Sequence, residues 1–330
     1  MTATMAESPA APSQVATTTK LSFPSSISLG SCIGGVPIKL HLSFFLLLLI
    51  EFISSIRLAA DYPLYMLFVV VLYGPVLLLT ILVHEFGHVF ATKRQGGEVG
   101  GVVLWPLGGF ALCGPTESLS GELKVALAGP LTHIPQMFFW WMIYLLVKYE
   151  FDMTGNATGI WPSFSIFLKT MSTGPAGFFQ VLAGEAVWLN IILCGFNLCI
   201  PAYPLDGGRV FAAGLILKLK VEPLKAAFVT AMTAMAISTT MVAYAIVRLF
   251  TGGASFSLYL GLVGLYVFYE SFELNSAVKR NDLKNHPIFG GKCYQSGGAN
   301  SASSSSDGGD LTMAEVSAPA DIPAEEGVMA

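Results

Sequence analysis

Two histidines four residues apart, with a glutamate beside the first, form the most reactive spacing in this chain: His84-Glu85-Phe86-Gly87-His88. On a helix, positions i and i+4 share one face a turn apart, so both imidazoles can hold a single metal ion. Glu85 is placed to accept a proton from an attacking water. All three ionisable groups lie in an apolar run. A central charge in a bilayer helix costs about 2.5–3.5 kcal/mol on insertion scales, so three together point to a metal centre rather than chance.

Two imidazoles leave a zinc site one protein ligand short. The Gly and His that extend this pattern in many water-soluble zinc enzymes are replaced by Ala91 and Arg94. Five carboxylates elsewhere in apolar surroundings qualify as a third ligand: Glu51, Glu185, Asp206, Glu270 and Glu273. Asp206 stands apart. It lies in the segment Asn197 to Arg209 (NLCIPAYPLDGGR), where Pro201, Pro204, Gly207 and Gly208 break a helix and can turn a carboxylate toward a cavity.

The elements that position these groups suit a bilayer. Of the 330 residues, 54% are hydrophobic and 12% charged, with a mean hydropathy of +0.66. A soluble domain carries about 25% charged residues, so most of this chain cannot face water. No basic cluster with interleaved aromatics suggests nucleic acid. The five cysteines, Cys32, Cys113, Cys194, Cys199 and Cys293, are scattered and odd in number, which gives no disulfide framework.

Six apolar stretches, at about 39–58, 64–92, 122–147, 178–203, 225–250 and 256–275, match the roughly 20 helical residues a bilayer core needs. The expected fold is therefore an all-α polytopic membrane protein spanning residues 31–290. The Ser/Thr/Ala/Pro-rich residues 1–30 and the Ser/Gly-rich, then acidic, residues 291–330 read as disordered tails. Lys20, Lys39, Lys93, Arg94, Lys124, Lys218, Lys220, Lys225, Lys279, Arg280 and Lys284 fall on one side of the six spans. Only Arg57, Lys148, Lys169 and Arg248 fall on the other, so the positive-inside rule places both termini in the cytosol. The sequon at Asn156 then lies in the 148–177 loop on the far side.

With these motifs in hand, the chain resembles the site-2 protease family of intramembrane zinc metalloproteases. His84 to His88 fits its first motif. The second, Pro201 to Arg209 preceded by Asn197, fits as well, and apolar helices surround both. Gly34 to Phe44, Leu107-Gly108-Gly109 and Ala128-Gly129-Pro130 also match, and the approach to the first helix is similar to that of the sporulation-type branch, which lacks a PDZ domain. The resemblance implies one zinc ion bound by His84, His88 and Asp206, with Glu85 as general base. It further implies that Asn197 orients substrate or stabilises the oxyanion, and that transmembrane proteins are the substrates. Two departures stand out. Three residues, not two, separate Asn197 from Pro201, and His133 replaces an Asn common three residues after the Gly-Pro of the third helix.

A helical substrate hides its scissile bond and must unwind. The stretch Glu98 to Cys113 suits a short β-hairpin that dips into the membrane and offers a free edge to an extended substrate strand. Two rival functions draw on the same residues. A metal or proton transporter would spread ionisable groups along a route and favour an inverted repeat, whereas here they gather at one motif pair. An inactive membrane scaffold would not need intact His84, Glu85, His88 and Asp206.

Overall fold

The computed structural model describes residues 25–31, 33–105, 108–114, 116–151, 174–251 and 254–283, together with His286, Phe289 and Tyr294. Most of the N-terminal tail reading, nearly all of the C-terminal one and the Asn156 sequon lie outside these residues. The first helix, α1 (Ser43–Ala59), is followed by α2 (Leu64–Val71), a π-helical stretch (Leu72–Val76) and α3 (Leu77–Arg94). Pro75 lacks an N–H and its ring crowds the carbonyl four residues back, so the helix widens there without ending. The 31-residue helix Leu64–Arg94 thereby carries the His-Glu-His motif in one continuous run.

The third apolar stretch, expected as one span over 122–147, is two helices. These are α4 (Leu119–Leu131) and α5 (His133–Phe151), which meet at Thr132. Pro135 falls in the first turn of α5, where a missing N–H is tolerated. Ser118 caps α4, its hydroxyl oxygen accepting the Gly121 N–H at 3.1 Å. The fourth stretch is also shorter than expected at its end. It forms α6 (Pro175–Cys199), which stops before Ile200 because the residue preceding Pro201 is driven to extended backbone (φ −89°, ψ 109°). After six irregular residues, Ile200 to Leu205, which include a cis Tyr203–Pro204 peptide bond, α7 (Asp206–Leu217) starts on the aspartate itself. The chain then forms α8 (Pro223–Phe250) and α9 (Ala254–Lys279).

The fold is thus mostly helical, and among the described residues three helices are long and apolar enough to cross a membrane: Leu64–Arg94, Pro175–Cys199 and Pro223–Phe250. Large apolar side chains on α1, including Leu46, Leu49, Ile53 and Ile56, point outward and are more than half exposed. A contiguous apolar face of this kind is a liability in water and a match for lipid.

The β structure is larger than the hairpin expected from the sequence. Strands β1 (Ser26–Ser31), β2 (Pro37–His41), β3 (Val99–Trp105) and β4 (Gly108–Cys113) form one sheet in that order. The hairpin is β3–β4, while β2 runs parallel to β3 and β1 antiparallel to β2. Strand β1 therefore occupies the end of the segment read as an N-terminal tail, and β2 the stretch read as the start of the first span. Ile38 and Leu40 alternate inward from β2 and join Val102 and Leu104 of β3. Together they pack on Phe44 of α1 and on Ile81, Phe86 and Val89 of α3. This contact fixes the sheet against the helix that bears the motif.

Candidate metal centre

His84 and His88 lie one turn apart on α3, facing the start of α7. His84 Nε2 is 3.1 Å from Asp206 Oδ2, His88 Nε2 is 3.2 Å from the same oxygen, and the two Nε2 atoms are 3.1 Å apart. All three residues are buried, with 5–7% of their surface exposed. Tetrahedral zinc with N and O ligands at about 2.0–2.1 Å sets its ligands roughly 3.3 Å from one another, so this triangle has the size a zinc ion needs.

Protonation follows from the partners on the other side of each ring. His88 Nδ1 lies 2.8 Å from the Val125 carbonyl, which can only accept, so Nδ1 carries the proton and Nε2 presents its lone pair inward. Two imidazoles and a carboxylate oxygen gathered in a buried place are satisfied by a cation. The donor set fits zinc.

Close approach of α4 shapes this cavity. A Cβ on Gly129 would collide with His88 Nε2 and fall 2.7 Å from His84 Nε2, so only glycine lets α4 pass this near the donors. Glycine is needed again at Gly109 of β4, where a Cβ would run into the Glu85 side chain. The Ala111 backbone N–H donates to the Glu85 carboxylate, which seats the acid against β4. Asp206 is held from behind. Arg209 Nη2 donates to Glu122 Oε2 at 3.2 Å, Arg209 Nη1 lies 3.8 Å from Asp206 Oδ1, and Glu122 Oε1 accepts the Thr116 N–H at 2.9 Å. A guanidinium fork between two carboxylates fixes both in place.

Residues 74–243, more than half of the sequence, match the model of peptidase family M50. The chain belongs to peptidase family M50. That is the site-2 protease family whose motifs it resembles. A zinc metalloprotease of Methanocaldococcus jannaschii is 31% identical to this M50 chain over 235 residues, covering 71% of it and 56% of the relative. A Mycobacterium tuberculosis protein described as a zinc metalloprotease, Rip3, is 27% identical over 215 residues, covering 64% of this chain and 48% of its own. The M50 chain therefore spans about half the length of the curated relatives it matches. A solved site-2 protease chain from Methanocaldococcus jannaschii is similar at 25% identity with a TM-score of 0.46, covering 76% of this chain and 95% of that one.

The sequence-derived candidates divide unevenly. His84, His88 and Asp206 come together, and Glu85 lies beside them on the face covered by β4. Asn197 is in the last turn of α6, with its Nδ2 donating to Leu193 O at 3.1 Å, a bond within its own helix. His133, which stands where an Asn is common, contacts His84 directly, Nε2 to Nδ1 at 3.0 Å. Asn190, Glu122 and Arg209 had no assigned role. Their common signal is a polar side chain within or beside an apolar helix.

Proposed function

We propose that the chain is an intramembrane zinc metalloprotease that hydrolyses peptide bonds in or near transmembrane segments of membrane-protein substrates. One observation carries this reading. Donor atoms of His84, His88 and Asp206, 122 residues apart in sequence at the widest, meet within 3.2 Å in a buried cavity next to a glutamate. His84, His88 and Asp206 hold the ion. When bound, zinc acts as a Lewis acid and brings the acidity of water to a pKa of about 7.

Glu85 accepts the proton of the attacking water and returns it to the leaving amine, which needs a carboxylate held in one orientation. Ala111 and Gly109 provide that seat. Strand β4 pairs only with β3 among the described strands, so its other edge is open to a fifth strand beside Glu85. An unwound substrate laid there keeps its backbone hydrogen-bonded where little water is present. Asn197 is the proposed oxyanion donor. In that role its amide leaves Leu193 O when substrate arrives. The spans number six, with both termini in the cytosol, on the charge distribution given above. Lys93 and Arg94, five and six residues after His88, support a position of the ion toward the cytosolic side.

The test uses full-length protein in lipid vesicles with a tagged single-span substrate. Glu85→Gln is expected to lower cleavage by roughly 10²–10⁴-fold, the usual range for a general base, while zinc content by mass spectrometry is unchanged. Cleavage persisting in Glu85→Gln would remove the mechanism. Zinc flux through intact vesicles without proteolysis would favour the transporter. Comparing peptide fragments from membranes with active and Glu85→Gln protein then identifies natural substrates.

A further inference from the structure

The two imidazoles of the metal site are oriented by different devices. His88 uses a main-chain carbonyl, Val125 O, which no side-chain substitution removes. His84 uses a side chain, and that side chain depends on another. We propose that His133 and Asn190 form a positioning relay that sets which ring nitrogen of His84 carries the proton, and so turns the His84 lone pair toward the metal.

The direction of the relay can be counted from its far end. Asn190 Nδ2 lies 2.9 Å from Ala186 O, which only accepts, so this contact settles which amide atom is nitrogen and points Oδ1 the other way. Asn190 Oδ1 lies 3.0 Å from His133 Nδ1 and must accept, so His133 Nδ1 bears a proton. In a neutral ring His133 Nε2 is then an acceptor. The proton shared over 3.0 Å with His84 Nδ1 therefore belongs to His84. His84 Nε2 is left with a free lone pair, aimed at Asp206 Oδ2 and His88 Nε2.

The opposite assignment makes His133 a cation with protons on both nitrogens. Its ring is 2% exposed and Asn190 is fully buried, and a charge there without a carboxylate partner is expensive. The break at Thr132 makes the geometry possible. It starts α5 on His133, and the ring reaches α3 on one side and α6 on the other. Three helices are thereby joined through one protonation pattern. An imidazole ligand typically gives its second N–H to a fixed acceptor, and losing that acceptor costs about 10–100-fold in metal affinity.

This inference rests on the zinc site proposed above but not on proteolysis, and its test reads metal binding. Zn²⁺ dissociation constants are measured for the full-length protein in detergent micelles by competition with a chromophoric chelator. The visible spectrum of the Co²⁺-loaded protein reports ligand geometry, and circular dichroism checks the fold. His133→Phe, which keeps a ring but offers no acceptor, is expected to weaken Zn²⁺ binding about 10–100-fold and to alter the Co²⁺ spectrum. His133→Gln, whose Oε1 can accept from His84 Nδ1, is expected to restore most of the loss.

Asn190→Leu leaves His133 in place with neither tautomer enforced, so its loss is intermediate. Added to His133→Phe it costs nothing more. Wild-type affinity in a folded His133→Phe protein overturns the relay, as do equal affinities for the Phe and Gln variants or additive losses in the double variant. Should His133→Phe not fold, wild-type affinity in Asn190→Leu overturns it alone. A wild-type protein that binds zinc through this relay yet cleaves no membrane substrate would instead sink the protease reading and leave the relay standing.

Discussion

The region around the metal site and the α8–α9 pair are both buried helix packing, and they are built on opposite rules. At the site, α3, α4, α5, α6 and α7 meet through polar atoms. His84, His88, Asp206, Glu122 and Arg209 each have a named partner, and Gly129 is there to leave space rather than to fill it. In the α8–α9 pair, contact is made by small residues. Ala245 meets Gly261, Gly264 lies against Val242 and Met241, and the fully buried Ala234 clusters with Val263 and Val267. Lipid supplies little hydrophobic drive between helices, so close van der Waals approach holds such a pair together. The pair packs on α7 through Ala226, Ala227 and Ala231, which cluster with Ala212, Ala213 and Ile216, and the Ser271 hydroxyl donates to Tyr203 O at 2.9 Å in the loop before Asp206. Disturbing the first region should change what the molecule binds, and disturbing the second should change only how firmly it holds together.

The largest separation is expected at Gly129→Ala. The added methyl occupies the space between the donors, so Zn²⁺ affinity should fall on the order of 100-fold or more, with helical content kept, as followed by chelator competition and circular dichroism. Unchanged affinity would mean that the approach of α4 does not shape the site. Gly264→Leu makes the reverse case. Overpacking at α8–α9 should cost about 1–3 kcal/mol, read as a lower unfolding temperature in detergent, with Zn²⁺ affinity as in the wild type. A parallel loss of affinity would show the two regions to be coupled.

The mildest effect concerns His286, which packs against Tyr203 and Phe289. Burial lowers its pKa to about 4. Separately, its Nδ1 accepts the Phe289 N–H at 3.2 Å, a bond that a proton on that nitrogen would end. The unfolded chain takes up this proton below about pH 6.5, whereas the folded chain refuses it until about pH 4. Stability is therefore full above that window and declines as pH falls through it. Thermal unfolding at pH 7.5 and pH 5 should show the drop, and His286→Phe should reduce it. An equal drop in the variant would place its origin elsewhere.

Legibility in the sequence followed the distance over which each feature is determined. The His84/His88 pair is set by helix geometry alone, and Asp206 by the improbability of a carboxylate between two prolines and two glycines in an apolar region. Both could be read directly. The split of the third stretch at Thr132 was only hinted at by Pro130 and Pro135, which a bilayer helix can also absorb. Strand β2 reads as five residues leading into a helix until β3, some sixty positions later, lies parallel to it. The partnership of His133 with Asn190 depends on where α5 crosses α6, which no local pattern records. Asn197 illustrates the converse: its motif position suggested a role that its bond to Leu193 does not display.

The parallel pairing of β2 with β3 leaves β4 as the strand that lies over Glu85, with its far edge unpaired among the described strands. A polypeptide docked along such a rim presents alternate residues to opposite faces, so it can be advanced only two positions at a time without exchanging inward and outward side chains. Cut sites in a permissive substrate should consequently recur with even spacing, and inserting a single amino acid upstream should relocate the scission rather than merely slow it.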